Sequence, residues 1–140
     1  MKFKQAASLL QQPDKFIYSA HEQIVSAMPR HTYDILSALK KNCYIRQAGL
    51  TLGEEKGMDF IPSAALALSI DLQSASYPHI DCTLNEALDF LRAGSPTFTS
   101  SVRGWHLIEY KAVTLGWAKN LGTRWNNYFP KSWRIVQQGN

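Results

Sequence analysis

The sequence predicts an α+β fold, a small barrel-like sheet with short helices at its edge. Three observations predict it. Helical patterns are short and fall early, the last forty positions alternate as strands do, and no βαβ rhythm runs through the chain. At 140 residues the chain has the length of one domain. A chain of this size buries roughly two thirds of its surface, so it needs no disulfide or metal staple.

The elements follow in order. Phe3, Ala6, Ala7 and Leu10 recur at helical spacing, so 3–12 reads as a helix stopped by Pro13. Residues 15–20 and 23–28 are β-prone runs on either side of His21-Glu22 and read as a hairpin. Residues 32–41 read as a helix in which Ile35, Leu36 and Leu39 share a face. Thr32 caps its start, and Lys40-Lys41 suit the C-terminal dipole. Residues 43–52 read as a strand and 53–57 as a polar loop. Pro62 and Ser63 open a helix expected to reach Ile70, with Ser63 as its cap. Residues 71–79 read as irregular. Thr83-Leu84-Asn85-Glu86 is a capping box that starts a helix with Ala87, Leu88, Phe90 and Leu91 facing inward and Gly94 at its end. Beyond a Ser/Thr/Pro-rich loop at 95–101, strands are expected at 105–110, 112–119 and 133–136. Turns separate them at Asn120-Leu121-Gly122 and at 126–131. Leu66, Leu68, Ile70, Leu88, Leu91, Leu107 and Leu115 are assigned to the core.

Composition removes several functional classes. Hydrophobic residues make up 45% of the chain, which excludes general disorder. The longest apolar run, 64–70, already contains Ser69 and falls far short of the ~18 residues of a membrane span. The apolar piece at 6–10 is too short for a signal-peptide core. Cys43 and Cys82 lie 39 positions apart without a pairing pattern, which suits a reduced, cytoplasmic setting. None of the eight glycines forms a nucleotide-binding cluster; Gly49 and Gly53 fit turn geometry. Cys82 follows Asp81, whose charge opposes a thiolate, and Cys43 lies in a strand-like run. His21, His31, His79 and His106 share no metal-ligand spacing. Asp81, Glu86 and Asp89 are accounted for by the capping box and a solvent face. The pattern is that of a binding module with no cofactor or metal of its own, and not of a stand-alone enzyme.

Charge is distributed unevenly. Residues 1–100 carry nine basic and ten acidic residues, whereas 101–140 carry six basic residues against Glu109 alone. All four tryptophans, Trp105, Trp117, Trp125 and Trp133, fall in that last stretch. Cations attract phosphates and release condensed counterions, while ring faces stack on unpaired bases. Aromatic residues in a β-rich segment also build cores, and Lys or Arg also marks a solvated face. Composition alone leaves both readings open. Strand alternation favours the core over contact for Trp117, and Trp105 and Trp133 read the same way, with contact as the alternative for all three.

Four segments, in order, resemble the C-terminal region of the Sun-family (RsmF-type) ribosomal RNA cytosine-5 methyltransferases. They are Ala48-Gly49-Leu50-Thr51-Leu52-Gly53; Phe60-Ile61-Pro62-Ser63 leading into an Ala/Leu run; Ala87 with Phe90-Leu91-Arg92; and Leu115-Gly116-Trp117-Ala118-Lys119 followed by Asn127-Tyr128-Phe129-Pro130-Lys131-Ser132-Trp133-Arg134. The family has Gly where Ala93 follows Arg92, and Gly, His and Gly at the positions of Ala118, Tyr128 and Ser132. Thr114 stands at a usual Pro.

The resemblance implies a PUA-like mixed β pseudo-barrel over 43–140, with 1–42 as a lead-in of helix, hairpin and helix. It implies ribosomal RNA as partner and a covalently linked upstream methyltransferase domain that uses S-adenosylmethionine. Neither cysteine sits in the family's Pro-Cys or Thr-Cys catalytic context. Lys119, Arg124, Lys131 and Arg134, backed by Arg103 and Lys111, are the expected phosphate contacts. Trp125 and Tyr128, in the polar turn region, are the expected stacking residues. The alternative is a structural or protein-docking domain whose aromatic segment is an apolar interface.

Overall fold

The structure, a computed structural model, describes residues 2–137 and comprises two compact units, 1–73 and 74–140. The boundary expected at 42/43 falls between two elements of the first unit's sheet.

The first unit contains α1 (Lys2–Ala7), β1 (Phe16–His21), β2 (Ile24–Pro29), α2 (Arg30–Leu39), β3 (Leu50–Lys56), β4 (Asp59–Pro62) and α3 (Ala64–Ala67). The four strands form an antiparallel meander in the order β1-β2-β3-β4. The expected first hairpin is present, with His21 opposite Ile24. Leu9, Leu10, Val25, Leu52, Phe60, Leu66 and Leu72 are buried.

Several expectations change here. The first helix ends at Ala7. Thr32 does not cap α2; Pro29 holds the N-cap position, and the Thr32 hydroxyl donates 2.8 Å to the Pro29 carbonyl. The strand placed at 43–52 starts only at Leu50. Gly49, at φ 74°, brings its backbone against the Ala27 carbonyl where a Cβ would collide. The supposed loop at 53–57 is mostly strand, since β3 runs on to Lys56 and turns at Gly57-Met58 into β4. Ser63 caps α3 as expected, accepting the Leu66 N–H at 3.0 Å. That helix stops after Ala67, so its apolar periodicity no longer points inward. Leu68 (53% exposed) and Ile70 (90% exposed) therefore leave the core assigned to them.

The second unit contains β5 (His79–Asp81), α4 (Leu84–Leu91), β6 (Gly104–Tyr110), β7 (Val113–Asn120) and β8 (Trp125–Asn127). The sheet order is β5-β6-β7-β8; β5 lies parallel to β6, and the remaining pairs are antiparallel. α4 is the crossover between the parallel strands, and parallel neighbours require such a connection. Neither sheet closes on itself, so the structure is α+β with two open four-stranded sheets and not a closed barrel. The strand expected at 133–136 is absent. A short 3-10 turn, Lys131–Trp133, stands there, and the last strand is β8.

α4 carries the capping box read from the sequence. Thr83 Oγ1 accepts the Glu86 N–H, and the Glu86 carboxylate accepts the Thr83 N–H at 2.8 Å. Those bonds hold the Glu86 carboxyl below its ordinary range. Its C-terminus differs from expectation. Ala93, not Gly94, takes the left-handed conformation (φ 58°), its N–H bonding Phe90 O while Gly94 N–H bonds Asp89 O. Ala87 and Phe90 are buried, Leu88 and Leu91 half-buried.

Candidate nucleic-acid interface

Alternation along β6 and β7 gives the second sheet two different faces. On one face Ile108 and Ala118 pack with Phe90 and Ala87 of α4, with Cys82 and with Phe98, while Tyr110, Leu115, Trp125 and Phe129 close over them. Gly116 lets Phe90 approach, because a Cβ there would lie 3.3 Å from that ring. The face is a core in the ordinary sense.

The opposite face is a chain of rings. Tyr77 meets Trp117 edge-on at 4.8 Å, Trp117 meets Trp105 at 6.3 Å, and Trp105 meets Tyr128 at 4.5 Å. Lys119, directly across from Trp105 in the strand pairing, holds its ammonium 5.0 Å from that ring's centroid. Trp117 is sealed (1% exposed) and belongs to the core; Trp105 and Tyr128 are half-buried. Burial pushes the Tyr77 phenol above its ordinary pKa, so it stays a neutral hydrogen-bonding group.

At one end of the sheet these strands build a groove. The β7–β8 connection, Leu121–Arg124, closes through Leu121 N–H to Arg124 O at 2.9 Å. Asn120 brackets it to the preceding loop. Its amide donates to the Ser100 and Val102 carbonyls at 3.2 and 2.7 Å, and its Oδ1 accepts the Gly122 N–H. Buried His106 stiffens the same corner, with Nδ1 3.0 Å from Gly104 O and Nε2 2.9 Å from Ser100 Oγ. Trp125 stands on two rings, His106 at 4.7 Å and Phe98 at 5.5 Å, both edge-on. Its half-buried indole, Arg124, Asn126 and the hydroxyl-bearing 95–97 loop line a groove of about 540 Å3 with no carboxylate among its walls. Arg103 lies beside it, its guanidinium drawn across Gly122 so closely that a Cβ there would be 2.8 Å away. Gly122 has φ 90°, a conformation in which a side chain is strained.

The sequence-predicted contacts therefore separate. Arg103, Arg124 and Trp125 come together at the groove. Lys119 belongs to the ring face with Tyr128, so the two expected stacking residues, Trp125 and Tyr128, lie on different faces of the sheet. Lys111 sits at the far end, in the β6–β7 turn, its ammonium 5.4 Å from the Tyr110 ring. Lys131 and Arg134 are exposed in and after the 3-10 turn, where Trp133 packs edge-on to Phe129 and Ile135 N–H bonds Leu91 O near the α4 terminus. Trp133 is 53% exposed.

Residues that sequence reasoning passed over complete the site. Asn120 and His106 hold the loops, and Asn127 ties α4 to β8 by donating to Phe90 O and Gly94 O at 2.9 and 3.0 Å. Among the described residues no cluster of His, Cys, Asp or Glu can hold a metal ion, and no helix is long and apolar enough to cross a membrane.

Residues 77–135 match the family described as the methyltransferase RsmF PUA domain, which makes that stretch a PUA-like domain of the RsmF type. The match takes in β5 to β8, the groove and the ring face, and stops short of the first unit. No curated protein matches the chain.

Proposed function

We propose that this RsmF-type PUA-like domain is a non-catalytic RNA-binding module that positions structured ribosomal RNA for a linked methyltransferase domain using S-adenosylmethionine. The observation carrying this reading is the carboxylate-free groove, which sets the Trp125 ring beside Arg124 with Arg103 across Gly122. Its volume falls within the roughly 300–1,000 Å3 of ligand sites. The two arginines place a phosphate backbone without reading sequence, and the indole offers a face to a splayed base. Base methylation inside a paired stem requires the base to leave its stack, so a module that holds the surrounding RNA shortens the search for the extruded state. The module holds no cofactor of its own, acts in the cytoplasm, and leaves the chemistry to the linked domain.

Titration of the chain with ribosomal RNA helices at two salt concentrations tests this. Affinity is expected to fall steeply with salt, and Arg124→Glu is expected to weaken binding while leaving the melting temperature unchanged. Salt-independent binding, or binding indifferent to Arg124, overturns the reading. A second reading, docking through protein, draws on the apolar strip of Trp133 and Val136, 53% and 80% exposed. It predicts no RNA affinity in the same titration.

A further inference from the structure

The first unit carries a basic segment of its own, outside the family-matched stretch. Between Asp34 and Glu54 the chain has no acidic residue, and Lys40, Lys41 and Arg46 all fall in that interval. α2 ends at Leu39, whose carbonyl accepts the N–H groups of Asn42 and Cys43 at 3.0 and 2.8 Å. The chain then leaves regular structure until β3 begins at Leu50, and Gly49 pins the far end against Ala27. The segment is thus held at both ends and open between them.

Its side chains divide. Ile45 is half-buried and lines an apolar groove with Ile35 and Leu39 of α2. Its neighbours Tyr44 and Arg46 are exposed. Tyr44 is 94% exposed, the most exposed aromatic ring among the described residues. Lys40, Lys41 and Arg46 are exposed as well, and among the described residues none of them makes a salt bridge. A phenol ring wholly in water contributes nothing to a core. Three cations with no carboxylate partner leave their charge to an outside anion. Ring and cations together supply the two contacts that single-stranded nucleic acid takes: a flat surface for a base and positive charge for the backbone.

We infer that the Lys40–Arg46 segment binds single-stranded RNA, Tyr44 stacking on an unpaired base and Lys40, Lys41 and Arg46 meeting the phosphates. The contact is separate from the β7–β8 groove and stands whether or not that groove binds RNA. An acidic peptide would satisfy the cations but leave the Tyr44 ring without a partner, so RNA accounts for more of what is present.

Cys43 gives a local readout in the unmodified chain. It is exposed beside Tyr44, whereas Cys82 is buried with its thiol pushed up to about 11 by desolvation and by the charges of Glu86 and Asp81. Alkylation therefore reports Cys43. A saturating unstructured oligouridine is expected to slow Cys43 alkylation by ~5-fold or more, as expected for a thiol beneath a stacked strand. In anisotropy titrations with the same oligonucleotide, Tyr44→Ala is expected to lose ~5-fold or more in affinity while Tyr44→Phe retains it. Replacing Lys40, Lys41 and Arg46 together by Ala is expected to flatten the log–log salt slope by about 2, from ~0.7 per cation on a single strand. An unchanged Cys43 rate at saturating RNA, a Tyr44→Ala chain that binds as the parent does, or equal protection by polyglutamate would overturn the inference. The first of these outcomes leaves the β7–β8 groove untouched, because nothing in that groove is near Cys43 in sequence or in the first unit.

Discussion

The two hairpin connections of the second sheet make an instructive pair. At one end β6 passes to β7 through Lys111-Ala112, a two-residue turn with φ of 49° and 62° and no glycine. At the other, β7 passes to β8 through four residues with Gly122 at φ 90°. Both ends carry cations. Only the second also carries a concave wall, a ring supported by other rings and a second arginine folded over a glycine. Charge counted along a sequence weighs Lys111 and Arg124 equally, whereas the sheet places them about seven strand residues apart, or ~23 Å. Cations become a binding site where the backbone also supplies a surface for the ligand's neutral part.

The contrast can be broken by mutation. The largest effect is expected from Arg103→Glu combined with Arg124→Glu, which should cost about tenfold or more per site in RNA affinity, since charge-assisted contacts contribute about 1.5–3 kcal/mol. Lys111→Glu should change affinity by less than about threefold at ordinary ionic strength, where charges a Debye length apart are screened. Equal losses at both ends, measured by anisotropy on one RNA, would erase the distinction. Gly122→Ala is expected to destabilise the unit by about 1–2 kcal/mol, because a non-glycine residue is strained there. It should weaken RNA binding as well by displacing Arg103, a coupling that chemical denaturation and titration of the same sample would reveal. The tight turn should respond in the opposite sense. Ala112→Gly is expected to gain about 0.5–1 kcal/mol, the relief at φ 62° exceeding the added chain entropy, with RNA affinity unchanged.

The smallest effect is a pH dependence at the β5 edge. His79 donates from Nε2 to Ser74 O at 3.0 Å and from Nδ1 to Glu109 Oε1 at 2.8 Å, and two acceptors require both ring nitrogens protonated. Its pKa is raised above the ordinary 6.5, chiefly by the bond to Ser74 and then by Glu109, with partial burial opposing. A raised value in the folded state means the contribution is complete below pH 6.5 and disappears as pH rises through the folded value. Denaturation midpoints measured across neutral pH should therefore decline more in the parent than in His79→Gln.

Much of this arrangement was legible in local chemistry. The capping box at Thr83 and the N-cap at Ser63 read directly because an N-cap bonds residues three positions away, and the β1–β2 hairpin read from its two flanking runs. What failed depended on distant partners. The polar look of Gly53–Lys56 concealed a strand because β3 is paired on both sides, by β2 and β4. Leu68 and Ile70 looked buried because helical period was extended past the point where α3 stops. The groove escaped because its walls, the 95–97 loop and Arg124, lie far apart in sequence, and Asn120 ties the two loops by bonding carbonyls about twenty residues earlier. Alternation gave Trp105, Trp117 and Trp133 the same inward reading, yet only Trp117 is sealed; Trp105 is half-buried, and Trp133, which lies in a 3-10 turn and not a strand, is 53% exposed.

The parallel pairing of β5 with β6 governs the order in which this unit assembles. Hairpins β6–β7 and β7–β8 need contacts only a few residues apart, but His79 reaches Leu107 across 28 positions, and α4 must be in place to span them. Loop closure over that length is paid late, so β5 should be the last strand to join and the first to leave. Amide hydrogens along 79–81 should then exchange sooner than those of β7, which makes the start of the family-matched stretch the place where unfolding begins.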